Sequence, residues 1–336
     1  MRIQLIIIIC LLVSACSTND DEFIESFKNV ETIELTAKEV KVDQSSLILS
    51  YMFEMEYVDS LLIINEYPDK DYCLKIVDLK TGTLRSFAKK GKGPNEIQAQ
   101  SCNYSVDQIN NELYITDRNT YYVYSIDSLM NEIIKPTSSF SVRIKNIPFL
   151  SSSYCSNKII GSTYENKLGV YDINSDTCFT KYKYANDPLI EQGRFCCHPT
   201  KQLAVFFQAK SAIMDIFEIK DNDVLRKEFV WWSSAKKDQR KAIPVKTRKN
   251  GFITASSSEK FIYSLYSGKM VNTQSIKTLT DAFLSQYVYV FDWDGKPNKV
   301  YKLDQDVRSI AIDDKNNILY AASYKGDIPN IVKYQL

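Results

Sequence analysis

Short apolar runs separated by polar residues extend from about residue 30 to the end of the chain. The runs at residues 61–64, 113–115 and 121–124 are rich in β-branched and aromatic side chains, and Asn, Asp, Lys and Gly residues separate such runs. This pattern is typical of β-strands joined by tight turns. No long amphipathic helix with capping residues can be recognised, so the pattern predicts an all-β protein.

A polar turn followed by an apolar pair recurs along the chain at intervals of 44–58 residues. The first apolar residues of these pairs are Leu61, Leu113, Ile159, Leu203, Phe261 and Leu319. One four-stranded blade of a β-propeller takes about 40–50 residues. The repeat therefore predicts six blades. A β-sandwich is the alternative, but it does not require recurrence over so long a period.

The last repeat, residues 309–334, has room for about three strands. The segment 31–35 (Glu-Thr-Ile-Glu-Leu) reads as a strand and can supply the fourth. Without it, the ring would leave a sheet edge unpaired. We therefore predict one domain, residues 27–336: a six-bladed β-propeller whose ring is closed by an N-terminal strand that pairs with the last blade.

The first fifteen residues have the features of a signal peptide. Arg2 precedes an almost unbroken apolar run over residues 3–13, which is too short for a bilayer span of about 20 residues. The sequence Val-Ser-Ala-Cys at residues 13–16 resembles the lipobox of bacterial lipoproteins. The resemblance implies that Cys16 is acylated and becomes the mature N-terminus. The alternative is an ordinary secretory signal with a chance cysteine at the cleavage site.

Residues 16–26 form a polar, acidic tether. It resembles the acidic signal that sends lipoproteins of Bacteroidetes to the outer face of the outer membrane, although in those signals the acids usually follow the cysteine more closely. The resemblance implies a lipid-anchored protein of the outer membrane that faces the cell exterior. The alternatives are the periplasmic face and a tether that is only a solvated spacer.

The loop Gly-Lys-Gly-Pro-Asn-Glu-Ile at residues 91–97 resembles the G-x-G-P-G-E-F loop of six-bladed propeller lipoproteins from Bacteroidetes, which are relatives of TolB-like and NHL-like propellers. Residues 262–268, 290–297 and 301–321 resemble the same family in the same order. In that family such loops approach the central axis. The resemblance implies that Lys92 and Glu96 line one face of the propeller.

The chain contains 42 Lys and Arg residues and 41 Asp and Glu residues, a balance that argues against nucleic acid as a partner. Its strongest local charge is a basic segment that follows two tryptophans. The candidate ligand-binding residues of this segment are Trp231, Trp232, Lys236, Lys237, Arg240 and Lys241. Such a segment can bind an anionic glycan, a lipid headgroup or an acidic protein. The alternative is a solvated loop between blades.

The one histidine of the chain lies in the run Cys196, Cys197 and His198. Adjacent side chains of a strand point to opposite faces, so these three are not expected to hold one metal ion. We predict no metal site and no cofactor. Six cysteines remain without Cys10 and Cys16, and the sequence favours buried thiols over disulfides, because a chain of this size needs no cross-links.

No catalytic triad, metal cluster or paired-carboxylate motif can be recognised. The sequence therefore favours a binding module for a glycan, a peptide or an envelope protein over an enzyme. Two alternatives stay open. One is an NHL-like lyase or hydrolase with a site in the central funnel, where Asp117, Asp292 and Asp313 are candidate carboxylates. The other is a structural envelope protein analogous to TolB.

Overall fold

A computed structural model of the chain describes residues 22–45, 49–67, 69–93, 95–98, 103–117, 119–130, 135–142, 149–163, 167–183, 193–209, 212–221, 223–232, 249–271, 280–324 and 329–336. Of the sequence-based predictions, the signal peptide, Cys16 and four basic residues, Lys236, Lys237, Arg240 and Lys241, lie outside these ranges. Within them, every helix is too short or too polar to cross a bilayer.

Twenty-three of the 24 strands among the described residues are arranged as blades around an axis, and each of the first four blades is an antiparallel sheet of four consecutive strands. The strands of blades 1 and 2 are β3 (Tyr51–Val58), β4 (Leu61–Tyr67), β5 (Tyr72–Asp78), β6 (Leu84–Lys89), β7 (Asn103–Asp107), β8 (Glu112–Asp117), β9 (Thr120–Ser125) and β10 (Ser138–Ser141). Those of blades 3 and 4 are β11 (Phe149–Cys155), β12 (Lys158–Thr163), β13 (Lys167–Asp172), β14 (Thr177–Lys183), β15 (Gly193–Cys197), β16 (Leu203–Gln208), β17 (Ile213–Ile219) and β18 (Val224–Trp231).

One long strand, β22 (Pro297–Asp313), belongs to both remaining blades. The other strands of these blades are β19 (Phe252–Ser257), β20 (Phe261–Tyr266), β21 (Ser285–Asp292), β23 (Ile318–Ser323) and β24 (Asn330–Gln335). The first half of β22 pairs with β21 as the outer strand of blade 5, and its second half pairs with β23 as the inner strand of blade 6. The chain is therefore a six-bladed β-propeller, as predicted.

The ring is closed by an N-terminal strand, but the closing segment lies further along the chain than predicted. The strand β2 (Lys38–Glu39) pairs antiparallel with β24 and completes blade 6. The predicted segment forms β1 (Thr32–Leu35), which pairs in parallel with β22 at residues 300–303 and covers the outer edge of blade 5. Both strands lack a sheet of their own, and each supplies ladder bonds to an edge that would otherwise be unpaired.

The apolar core lies mainly between neighbouring blades, where buried side chains of adjacent sheets interlock. Ile63 of blade 1 packs in one cluster with Ile115 of blade 2, for example. The helix α1 (Glu22–Glu25) begins within the predicted tether and places Phe23 in a cluster that joins blades 4 and 5. A second short helix, α2 (Ile126–Met130), follows β9. The folded part of the chain thus includes residues before the predicted start of the domain.

Candidate functional site

The inner strands of the six blades surround a channel along the propeller axis. Its middle is a cavity of about 320 Å³. Every blade contributes to the wall of this axial channel, which includes Glu56, Val106, Ser153, Cys196, Ser256 and Ile312. The channel is the place where all six blades meet.

Glu56 is one of the carboxyls that line the axial channel. Burial raises its pKa to about 8, although the backbone N–H of Val106 donates a hydrogen bond that acts in the opposite direction. Burial also raises the pKa of the Cys196 thiol to about 12. A dehydrated site disfavours the charged form of both groups. At neutral pH, both side chains are therefore mainly uncharged.

The channel opens widely at the end where the inner strands finish. The cavity there has a volume of about 580 Å³. Four carboxylates line this acidic mouth, and Lys315 is the one base among the described residues around it; the acids are Asp59, Glu259, Asp313 and Asp314. The side chain of Ile109 lies at the same end and is 60% exposed. A mouth lined by one sign of charge attracts groups of the opposite charge.

The opposite end of the channel carries arginines. A small cavity of about 40 Å³ is lined by residues that include Glu54, Asn103 and Arg194. Arg194 forms an ion pair with Glu54. Burial lowers the pKa of Arg194 to about 9, and the positive charge of Arg308 adds to this effect. We call the end that carries Arg194 and Arg308 the arginine mouth.

Cys196, Cys197 and His198 all line the axial channel, but their other neighbours differ. His198 is 3% exposed, and its ring packs against Trp293. Its Nδ1 accepts hydrogen bonds from the backbone N–H groups of Thr200 and Lys201 at 3.2 and 3.1 Å. Burial lowers the pKa of His198, so the ring is neutral at physiological pH. Its geometry is that of a turn-capping histidine.

The prediction that the cysteines are buried thiols was wrong for Cys155 and Cys197, which form a disulfide. Cys73 is disulfide-bonded as well. The Cys155–Cys197 bond joins the inner strands of blades 3 and 4. The Cα atoms of the two cysteines lie 5.7 Å apart. The two cysteines are 42 residues apart in sequence. The packing of the consecutive blades 3 and 4 brings them together, and the spacing of the cysteines alone gave no indication of the pair.

The glycine-rich loop does not reach the axis in the way that the resemblance implies. Gly93 N–H donates a hydrogen bond to Glu96 Oε2 at 2.8 Å, and Lys89 Nζ lies 2.9 Å from Glu96 Oε1. These contacts lower the pKa of Glu96, with the bond from Gly93 as the main cause. Lys92 is exposed, and neither Lys92 nor Glu96 is among the described residues that line the axial channel or its mouths. The Glu96 carboxylate holds its own loop together.

The two tryptophans before the basic segment lie at the end of blade 4. The backbone of Trp231 pairs with Ile213 as the last residue of β18. The ring of Trp232 packs edge-on against Phe23, with ring centres 5.0 Å apart, in the cluster between blades 4 and 5. Trp232 therefore contributes to the packing between blades 4 and 5.

The three carboxylates considered for an enzyme do not converge. Asp117 accepts a hydrogen bond from Gln98 N–H, and Asp292 accepts bonds from two N–H groups of its own turn. Asp313 lines the acidic mouth but is also bonded to the backbone and side chain of Asn316. Each of these carboxylates stabilises a turn. The polar groups that do meet at the axis, Glu56 and Arg194 among them, were not singled out from the sequence.

The fold resembles propeller domains of known structure. The β-propeller domain of Myceliophteria thermophila Cps50 (Swd1) has a TM-score of 0.51 at 8% identity, with coverage of 89% of this chain and 99% of that chain. The WD40 repeats of RRP9 have a TM-score of 0.51 at 8% identity, with coverage of 89% and 97%. At these identities, the similarity shows the fold alone.

Sequence comparison identifies the family. No curated protein matches the chain. The family described as TolB-like 6-blade propeller-like matches residues 27–315, which is most of the propeller. This agrees with the six blades counted in the structure, in which the long strand β22 serves two of them. The chain therefore belongs to the TolB-like six-blade propeller family.

Proposed function

We propose that the chain is a lipid-anchored envelope protein, displayed on the exterior of the outer membrane, whose propeller binds a glycan, a peptide or another envelope protein. The observation that carries the binding role is the axial channel, a cavity built by all six blades and open at the acidic mouth. Ligand sites of proteins are concave and few, and a channel of this kind is the default candidate for one. The lipobox supports the anchor, and the periplasmic face is the alternative location.

The N-terminal helix gives the proposed anchor a defined position on the propeller. Phe23 is fully buried against Trp232, Phe252 and other rings between blades 4 and 5. A chain spans at most about 3.5 Å per residue, so Cys16 can lie no more than about 20 Å from Glu22. In this arrangement, the junction of blades 4 and 5 faces the membrane. The basic segment that follows Trp232 in sequence begins beside the same junction.

An enzyme that works in the channel is the second candidate, and Glu56 is the observation that favours it. A carboxyl whose pKa is raised to about 8 is suited to donate or accept a proton near neutral pH. The Cys196 thiol beside it has a raised pKa and is a poor nucleophile, because the thiolate is the reactive form. The binding role therefore has the stronger support.

Replacing Cys16 with Ser is expected to release the protein from membranes, because acylation of the cysteine sulfur supplies the anchor. Each buried methylene of an acyl chain contributes about 0.8 kcal/mol, so its loss leaves no comparable attachment. Membrane and soluble fractions of cells that carry each variant would be compared by immunoblot. Cys10→Ser, within the signal peptide, is the control and should stay in the membrane fraction. A Cys16→Ser protein that still sediments with membranes would show that the lipobox is not used.

Removing the charge of the basic segment is expected to weaken binding to an acidic glycan. Attraction between exposed charges is screened over about 8 Å at physiological salt, so binding should also fall as salt is added. The variant changes Lys236, Lys237, Arg240 and Lys241 to Ser, and affinity for matched acidic and neutral polysaccharides is measured at low and high salt. We expect a loss of about ten-fold, or about 1.4 kcal/mol, at low salt.

The control for this experiment removes as much positive charge from other exposed positions, Lys70, Lys80, Lys220 and Lys260. If both variants lose affinity equally, net charge alone governs binding. If neither variant loses affinity, the basic segment is a solvated loop. Melting curves of all variants establish that the fold is unchanged, since exposed charges contribute little to stability.

A further inference from the structure

The guanidinium of Arg308, on the inner strand of blade 6, is buried without full hydrogen bonding. Arg308 is 3% exposed. Its Nε and Nη1 atoms are buried and have no hydrogen-bond partner in the part of the chain that the structure describes. An arginine side chain carries five N–H donors and stays charged, and buried donors in proteins are nearly always paired. These two atoms carry three of the five N–H donors of the buried cation.

Three aromatic rings surround this guanidinium. The ring centres of Tyr51, Phe53 and Phe283 lie 4.1, 4.7 and 4.9 Å from the Arg308 Cζ atom. Cation–π attraction compensates part of the cost of burying the charge. Arg308 also has a side-chain hydrogen bond with Tyr51. A ring face is a much weaker acceptor than an oxygen, however, and leaves Nε and Nη1 unsatisfied. The rings thus hold the cation in place without completing its hydrogen bonds.

A second guanidinium shares one of these rings. The Arg194 Cζ atom lies 5.0 Å from the centre of the Phe53 ring. Glu54 pairs with Arg194. The neighbours that favour the charged form of Arg308 are Tyr51 and Tyr324, rather than a carboxylate of the described residues. Of the carboxyls that line the small cavity at this mouth among the described residues, Glu54 is paired with Arg194, and Glu56 is mainly uncharged at neutral pH because burial raises its pKa to about 8. With Arg308 included, these groups have an excess of positive charge.

The Phe53 ring lies against both guanidinium groups, and its side chain is 39% exposed. Arg194 and Glu54 border the small cavity at this end, together with Ser151 and Thr254. An exposed aromatic side chain changes rotamer on a nanosecond timescale. Rotation of the Phe53 ring towards solvent would uncover the N–H groups of Arg308 beside those of Arg194. The mouth therefore has both a charge excess and a movable cover.

We propose that the arginine mouth binds an oxyanion, a carboxylate or phosphate group, carried by a ligand whose ring or apolar body contacts Phe53. The anion accepts hydrogen bonds from Arg308 and compensates the positive charge that Arg308 and Arg194 place together. Charge-assisted bonds from guanidinium to carboxylate or phosphate are among the strongest hydrogen bonds in proteins. This assignment rests on the proposed function, because it names the chemistry that the binding module recognises.

The test measures binding of benzoate and inorganic phosphate to the full mature chain by calorimetric titration, with uncharged benzamide as the matched control ligand. We expect wild type to bind both anions at millimolar concentration and benzamide far more weakly. Arg308→Met should weaken both anions by about ten-fold or more, the usual effect of losing hydrogen bonds to a charged group. Arg85→Met, on the outer strand of blade 1, should leave their affinities unchanged. Tighter binding of benzoate indicates a carboxylate ligand, and tighter binding of phosphate indicates a phosphorylated one.

Phe53→Ala provides a second variant, which should affect the two anions differently, whereas Arg308→Met should weaken the binding of both. Removing the cover exposes Arg308, so phosphate should bind at least as tightly as in wild type, whereas benzoate should lose its ring contact. Because Phe53 is partly exposed, this variant keeps the fold even if Arg308→Met does not. Anion affinities that are insensitive to both substitutions, or no binding to wild type, would overturn the site.

The outcomes for the site and for the binding module can be told apart. A propeller that binds envelope polysaccharide but neither anion contradicts only the oxyanion site. A propeller that binds the anions through Arg308 but no glycan, peptide or envelope protein contradicts the proposed function and supports the site.

Discussion

Replacing Glu56 with Gln is expected to make the protein more stable than wild type at alkaline pH and equally stable at acid pH. Burial raises the pKa of Glu56 from 4.5 to about 8. Between these two values, the folded state binds a proton that the unfolded chain has released. The free energy of unfolding of wild type therefore falls as pH rises through this window. Glutamine resembles the protonated carboxyl at every pH and removes this loss.

The difference between Glu56→Gln and wild type should grow from near zero at about pH 4 to about 5 kcal/mol above about pH 8, since each unit of pKa shift corresponds to about 1.4 kcal/mol. Urea unfolding of both proteins across this range measures it. Glu34→Gln is the control. Lys302 lowers the pKa of the exposed Glu34, so this variant should be slightly less stable than wild type at neutral pH. Parallel stability profiles of Glu56→Gln and wild type would show that Glu56 is ionised in the folded channel.

The repeat read from the sequence corresponds to one structural feature of every blade. The six marker residues lie at the start of the second strand of their blades, as Leu61 does in β4 and Phe261 in β20. The turn before this strand often requires a left-handed backbone, which Asn adopts more readily than most residues. Asn111, Asn157 and Asn317 have φ values of 56°, 64° and 52° at this point. Local turn chemistry therefore made the blades predictable.

The partner of the N-terminal strand was not predictable to the same degree. The segment now seen as β1 alternates apolar and polar residues, and it is a strand. Alternation fixes which face is buried but not which edge is paired, and several propeller edges accept such a strand. β1 pairs with blade 5, and the two residues of β2 close blade 6. A two-residue strand has too little pattern to be recognised in a sequence.

The candidate site was harder to predict than the fold because its residues are isolated charges on separate strands. The densest charge in the sequence follows Trp232, outside the described residues. Glu54 and Glu56 instead alternate with apolar residues within β3, and Arg308 follows Val307 in β22. A single charge inside an apolar strand was the available indication, since such a residue is seldom buried without a role. The residues that surround such a charge come from other blades, as Tyr51 and Phe53 of blade 1 do for Arg308 of blade 6, and the sequence pattern does not identify them.

The N-terminal helix is expected to be part of the folded core rather than a free tether. Phe23 is fully buried and contacts the rings of Trp232, Tyr266 and Tyr289, with the nearest ring centre 4.1 Å away. Truncating a buried Phe to Ala removes apolar contacts and leaves a cavity, at a cost of about 3–5 kcal/mol. Phe23→Ala should therefore lower the free energy of unfolding by this amount.

Ile24→Ala, the next residue of the same helix, is the matched control for Phe23→Ala. Ile24 is 47% exposed, so its truncation should change stability by no more than about 0.5 kcal/mol. Chemical unfolding of both variants gives the free energies, and the fluorescence of Trp232, which lies against Phe23, reports local packing. If Phe23→Ala were as stable as Ile24→Ala, the helix would not be docked. The linker between the lipid anchor and the propeller would then be longer, and it would not orient the junction of blades 4 and 5 towards the membrane.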